Sequence, residues 1–193
     1  MMKNLYFLKP EINKKKIIIL IIILLVILTI SLLIFLNYKN KQNKKEISIQ
    51  TFNIDNNFNI TTNKTDKLKS YTPNNNFIFE LHSDNNLDIY IDKLENTENF
   101  SLQLIAKADS DSYPKNFENI SNLSQTIKNT INGIDIYSYE FDYLDTITNT
   151  NNHLKICFLQ INEFIYSINF KFPTEQLQIF NPIVNDIINS ISL

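Results

Sequence analysis

The 193-residue chain has no arginine and no tryptophan, one glycine (Gly133), one cysteine (Cys157) and two histidines (His82 and His153). Each scarcity removes a class of chemistry. Without the guanidinium fork there is no bidentate grip on phosphate, carboxylate or guanine, and the chain beyond residue 45 is acidic, so nucleic acid is excluded as a partner. A single glycine cannot build a glycine-rich phosphate cradle, and no P-loop, GxSxG or HExxH occurs. A lone cysteine allows no internal disulfide, and in the alternating stretch HLKICFLQI it reads as a small buried apolar side chain. Two histidines are too few for a typical histidine-rich metal site, and none of these residues implies a cofactor.

What the chain has in excess is asparagine, isoleucine and lysine. All three are encoded by AT-rich codons, so the bias records a bacterial genome before it records a function. The loudest segment is KKKIIILIIILLVILTISLLIFLNYKNK. From Ile17 to Leu36 it runs 20 residues without a charge, 18 of them Ile, Leu, Val or Phe. At a rise of about 1.5 Å per residue, such a helix matches the roughly 30 Å of a bilayer's hydrocarbon. It lacks the wet face of a soluble core helix, is longer than a signal-peptide apolar region, and leads into Asn37, Tyr38, Lys39 and Asn40 instead of small cleavage-site residues. No cysteine follows it, so it is not a lipoprotein signal. The expectation is an uncleaved, single-pass anchor in the plasma membrane.

Lysines flank this run on both sides and only slightly favour a cytoplasmic N-terminus. The formal charge is more telling: residues 1–45 carry nine lysines and one acid (+8), residues 46–193 nine lysines and 19 acids (−10). An acidic body gains nothing from an anionic membrane surface, which is compatible with a C-terminal domain outside the cytoplasm. The expected organisation is a short cytoplasmic tail (1–16), a transmembrane helix (17–36), a polar tether with a possible first strand at ISIQTF on the alternation of Ile47 and Ile49 (37–69), and an extracytoplasmic α+β domain (70–193).

Within that domain, NFIFELHSDNNLDIYID alternates as a hairpin, with Phe77, Phe79 and Leu81 opposite Leu87, Ile89 and Ile91. The segment NTENFSLQLIAKA spaces Phe100, Leu102, Ile105, Ala106 and Ala108 as a short helix, ahead of a loop DSDSYPKN. Asn132-Gly133 is the preferred two-residue hairpin turn, since both positions need positive φ. The following IDIYSYEFDY puts Tyr137, Tyr139, Phe141 and Tyr143 on one face, with Ile134, Ile136, Ser138, Glu140 and Asp142 on the other. HLKICFLQI then pairs with FIYSINFKF through a tight turn at Asn162-Glu163, completing an antiparallel meander. The last segment spaces Leu177, Phe180, Val184, Ile187, Ile188 and Ile191 as an amphipathic helix. Pro182 is expected to break it, so that the long helix starts there with Asn181 as its cap.

This order of elements resembles the PsbP-like family, named for an extrinsic subunit of photosystem II and including bacterial lipoproteins and membrane-anchored proteins. The residues that carry the resemblance are CFLQINEFIYSINFKFP, a tyrosine-bearing strand closing on a proline, and a terminal helix with Ile187, Ile188 and Ser190. The resemblance implies an αβα sandwich built on an antiparallel sheet, and a role in binding or assembly more often than in catalysis. This chain departs from the lipoprotein members in having a hydrophobic anchor where they have a lipidated cysteine.

Candidate chemistry is sparse. Counting Asp84 as the first position of a calcium loop places Asn86, Asp88, Asp92 and Glu95 at ligand positions and Ile91 at the usual apolar one. The position that demands a sharp glycine turn is Ile89, so a hairpin turn is the expected reading, with a looser cation site at Asp84, Asn86 and Asp88 as the alternative. Asp109 and Asp111 could hold a cation or be solvated. A nucleophilic Cys157 would need a histidine brought to it by folding. The row Tyr137, Tyr139 and Tyr143 is either the buried side of a sheet or a surface for a protein or envelope partner. The favoured function is a non-catalytic envelope module, the alternative a hydrolase using carboxylates such as Asp109, Asp111 or Glu140.

Overall fold

Long strands with strict alternation dominate the C-terminal half, and they set the frame of the computed structural model, which describes Thr29, Ser31 and residues 48–73 and 77–193. Ser48–Leu193 form one compact unit. Its main sheet has eight antiparallel strands: β3 (Lys69–Tyr71), β4 (Phe79–His82), β5 (Asp88–Glu95), β6 (Glu118–Ser121), β7 (Ile127–Ile131), β8 (Ile134–Asp145), β9 (Thr150–Ile161) and β10 (Phe164–Pro173). The spatial order is β3-β4-β5-β10-β9-β8, with β7 and β6 pairing successive halves of the outer edge of β8. A separate hairpin, β1 (Ile49–Ile54) and β2 (Phe58–Asn63), and two helices, α1 (Leu102–Ser112) and α2 (Leu177–Asn189), complete it.

The two faces of the sheet are covered differently. On one, Ile89, Ile91, Leu159, Ile168, Phe170 and Phe172 meet Phe180, Val184 and Ile187 of α2 and Phe52, Ile54, Phe58 and Ile60 of the hairpin. On the other, Tyr139, Phe141, Tyr143, Leu154, Ile156 and Phe158 meet Leu102 and Ala106 of α1. The fold is thus mixed α and β, an antiparallel sheet with flanking helices.

The hairpins form where the alternation and turn chemistry place them. Asn132 and Gly133 take φ of 50° and 81°, the left-handed pair that matches the twist of β7 and β8. With only one glycine, the chain finds its other left-handed residues elsewhere: ten non-glycine residues among those described have positive φ, and eight are asparagine. The short amide can bond locally and tolerates this region better than other side chains. Asparagine abundance therefore has a structural use besides its genomic origin.

Four expectations are corrected. The compact unit begins at Ser48: residues 37–47 of the expected tether lie outside the described residues, and residues 48–71 carry three strands where the expectation allows one first strand at ISIQTF. In β1 the inward residues are Phe52 and Ile54, while Ile49 is 59% exposed, because the hairpin with β2 aligns Ile54 with Phe58 and turns that register toward α2. The stretch DSDS continues α1, since the Ser110 and Ser112 hydroxyls donate to Lys107 O and Ala108 O, both at 2.8 Å, and Pro114 follows in a short 3-10 turn. Finally, α2 runs through Pro182. Pro182 and Gln178, whose carbonyl a proline at 182 cannot bond, are both exposed, while Phe180 and Val184 hold the helix to the sheet.

The expected span 17–36 lies outside the described residues except for Thr29 and Ser31, both helical. Among the described residues no helix is long and apolar enough to cross a membrane.

Candidate functional site

The ends of β8, β9 and β10 that lie beside the β4–β5 turn enclose a cleft of about 710 Å³. Its sides come from β6 and its bulge, from the β8–β9 turn, and from the junction of β10 with the C-terminal helix region. Five asparagines line it: Asn86, Asn119, Asn122, Asn149 and Asn151. The first four have positive φ, so the backbone at each is a turn or bulge that projects the amide away from the ladder. Asp142, Tyr143, Pro173, Thr174 and Glu175 also line it, and among the described residues no lysine does.

Behind this lining sits a buried polar pair. Strand register places Asp142 directly opposite His153. His153 Nδ1 lies 2.7 Å from Asp142 Oδ1, and Asn122 Nδ2 donates to Asp142 Oδ2 at 2.6 Å, so both carboxylate oxygens are engaged. The imidazole packs on Phe172 with ring centroids 5.0 Å apart. Its Nε2 is buried without a hydrogen-bond partner among the described residues, 3.9 Å from Glu140 Oε2, and Thr174 Oγ1 is likewise buried and unpartnered among them. Sequence reasoning treated His153 alone and missed this pair. The signal for it was present: a tight β8–β9 turn fixes which residues face each other, and Asp142 and His153 both lie on the α2 side.

A second polar cluster occupies the open half of the α1 side of the sheet, where β4 and β5 extend beyond the helix. His82 Nδ1 lies 2.7 Å from Asp88 Oδ1 and Nε2 lies 3.4 Å from Glu80 Oε2, with Tyr71 and Tyr90 edge-on to the ring at 5.0 and 5.5 Å. Burial disfavours the charged imidazole, but the hydrogen bonds and charges of Asp88 and Glu80 outweigh it and raise its pKa. Burial pushes the Tyr90 hydroxyl well above its usual range, reinforced by the same carboxylates.

The other sequence candidates are dispersed. Asp84 is ion-paired with Lys69 at 2.9 Å, Asp88 is bound to His82, and Ile89 is a buried strand residue, so the segment is a hairpin and not a calcium loop. Only Asn86 of that set reaches the cleft. Asp109 accepts the Tyr139 hydroxyl at 2.5 Å, and burial raises its pKa against the opposing effect of that bond. Asp111 pairs with Lys107 at 3.2 Å and lines, with Tyr137, a separate groove beside α1. Among the described residues no group of three or more His, Cys, Asp or Glu is placed to hold a metal ion. Tyr139 (1% exposed) is buried against α1, Tyr143 (7%) is buried in the same cluster against Phe117, and Tyr137 is half-buried. Cys157 is fully buried, which pushes its thiol up to about 12, the reverse of an activated nucleophile.

The fold has known counterparts. The chain has a PsbP-like fold over about 78% of its length. Cyanobacterial PsbP (CyanoP) from Synechocystis sp. PCC 6803 aligns with a TM-score of 0.57 at 8% identity, covering 78% of this chain and 95% of that one. LpqN of Mycobacterium tuberculosis, described as involved in cell envelope biogenesis, aligns with a TM-score of 0.56 at 10% identity, covering 78% and 92%. A Pseudomonas aeruginosa protein of unknown function aligns at 0.50 and 6% identity, covering 75% and 96%. No family model matches the chain, and no curated protein matches it in sequence.

Proposed function

We propose that the protein is a non-catalytic binding or assembly module of a bacterial cell envelope, held in the plasma membrane by one span at residues 17–36, with Ser48–Leu193 outside the cytoplasm. The observation that carries the reading is the uninterrupted apolar run joined to an acidic unit of PsbP-like fold. LpqN, which shares that fold, supports the envelope setting.

The arrangement of the carboxylates favours binding over hydrolysis. A carboxylate hydrolase needs two acids converging on one bond. Asp109 is held under α1 by Tyr139, Asp111 is paired with Lys107, and Glu140 lies on the opposite face of the sheet, 3.3 Å from Lys155. Protease added to intact cells tests the topology. Degradation of the C-terminal unit with survival of a short membrane-protected fragment is expected, and full protection of that unit reverses the orientation.

A further inference from the structure

We infer that the asparagine-lined cleft is a binding site for a neutral, hydroxyl-rich ligand, a glycan segment. The inference starts from which groups in the cleft are already engaged. Asp142 is committed to Asn122 through one oxygen and to His153 through the other. The side chains of Asn86, Asn119, Asn149 and Asn151 make no hydrogen bond to any other described residue, and neither does that of Glu175. Four free amides and one free carboxylate thus surround a space of about 710 Å³, a size ordinary for small-molecule sites.

The chemistry of the lining selects among ligands. An anion would find no lysine in the lining and two carboxylates instead, so phosphate-bearing polymers and acidic sugars are repelled. A divalent cation needs several hard oxygen ligands with charge among them, but both oxygens of Asp142 are engaged and Glu175 alone remains. An amide offers a donor pair and an acceptor on one rigid plane, which suits the adjacent hydroxyls of a sugar, each at once donor and acceptor. Pro173 supplies an apolar wall on which the C–H face of a pyranose can rest. The backbone that carries the amides is also set before any ligand arrives: Asn86 and Asn149 sit at left-handed turn positions, Asn119 at the left-handed bulge of β6, and Asn151 in strand β9.

The inference rests on the envelope-module reading only for where such a ligand is met. Its test uses the full-length chain in a polyoxyethylene detergent, which carries no sugar. Saturation-transfer NMR against triacetylchitotriose, maltotriose and a panel of other neutral oligosaccharides is the readout, with calcium alone and a glycerol-phosphate polymer as further arms. Asn119→Gly and Asn149→Gly remove the amide while keeping a left-handed backbone, and Asn151→Ala removes it from a strand. At least one neutral oligosaccharide is expected to bind, and each variant to weaken it about fivefold to tenfold with an unchanged unfolding midpoint, the effect of losing one hydrogen bond or slightly more. No transfer to any neutral sugar at millimolar concentration, binding indifferent to all three variants, or binding of calcium or the anionic polymer alone would each overturn it. Protected topology in intact cells would instead remove the envelope reading and leave the sugar measurement standing.

Discussion

The two faces of the main sheet show two ways of closing a core. The α2 side is sealed mainly by apolar area, with Phe170, Phe172, Ile168, Phe180 and Ile187 in one cluster, the β1–β2 hairpin filling what the helix leaves, and the Asp142–His153 pair confined to its edge. The α1 side has a shorter apolar contact and then polar residues: Tyr139 bonds Asp109 across the helix interface, and beyond α1 the sheet presents Glu80, His82, Asp88 and Tyr90. The apolar seal gains stability in proportion to area and is blind to pH. Polar closure is directional and depends on protonation. The first face therefore carries most of the apolar stability, and the second most of the contacts that depend on protonation.

The strongest way to break this contrast is Phe170→Ala. The side chain is fully buried on the α2 side, so its loss should cost about 3–5 kcal/mol through lost transfer energy and a residual cavity. Urea denaturation measures it. A cost no greater than that of a polar substitution on the other face would end the distinction.

Tyr139→Phe probes the α1 side. It strips the half-buried Asp109 carboxylate of its donor and should cost about 1–3 kcal/mol at neutral pH. The pH dependence has a definite sign. Because the folded pKa of Asp109 lies above its ordinary 3.8, the folded state holds the proton more firmly, and stability falls as pH climbs from 3.8 through the folded value. Asp109→Asn should remove that slope and make the protein more stable at neutral pH than in acid relative to the parent. Parallel denaturation series in acid and at neutrality would show it, and an unaltered slope would mean that Asp109 is not the titrating group.

The smallest effect is expected at His82. Its pKa is raised above 6.5, so its contribution is fully present below that value and lost as pH rises through the folded one. The ring is partly exposed, which keeps the effect to at most about 1 kcal/mol. His82→Gln should flatten the neutral-range drift in the urea midpoint, and a drift that persists would assign it elsewhere.

Much of this architecture could be read from the chain because its determinants are local. Alternation in IDIYSYEFDY assigns the two faces of β8, and Asn132-Gly133 fixes the β7–β8 turn. The candidate site was far less legible. Asn86 stood out only as part of a calcium-loop spacing, and Asn119, Asn122, Asn149 and Asn151 looked like composition. They belong to three separate segments, and nothing in the spacing of any one reveals the others.

What the sequence determined by itself is whatever neighbours along the chain can settle: an apolar run at 17–36, the division of charge at residue 45, the period-two strands and the left-handed turns. The tertiary structure alone decided that residues 48–63 form a hairpin against α2, that α2 continues through Pro182, that Tyr139 is buried against α1 and Tyr143 against Phe117, and that Asp142 meets His153. In each of these cases the deciding energy is a contact between residues far apart in the chain. Burial at Val184 and Phe180 outweighs the broken helix bond at Pro182, and the hydroxyl of Ser190 reaches the backbone N–H of Thr61 at 2.7 Å to hold the hairpin.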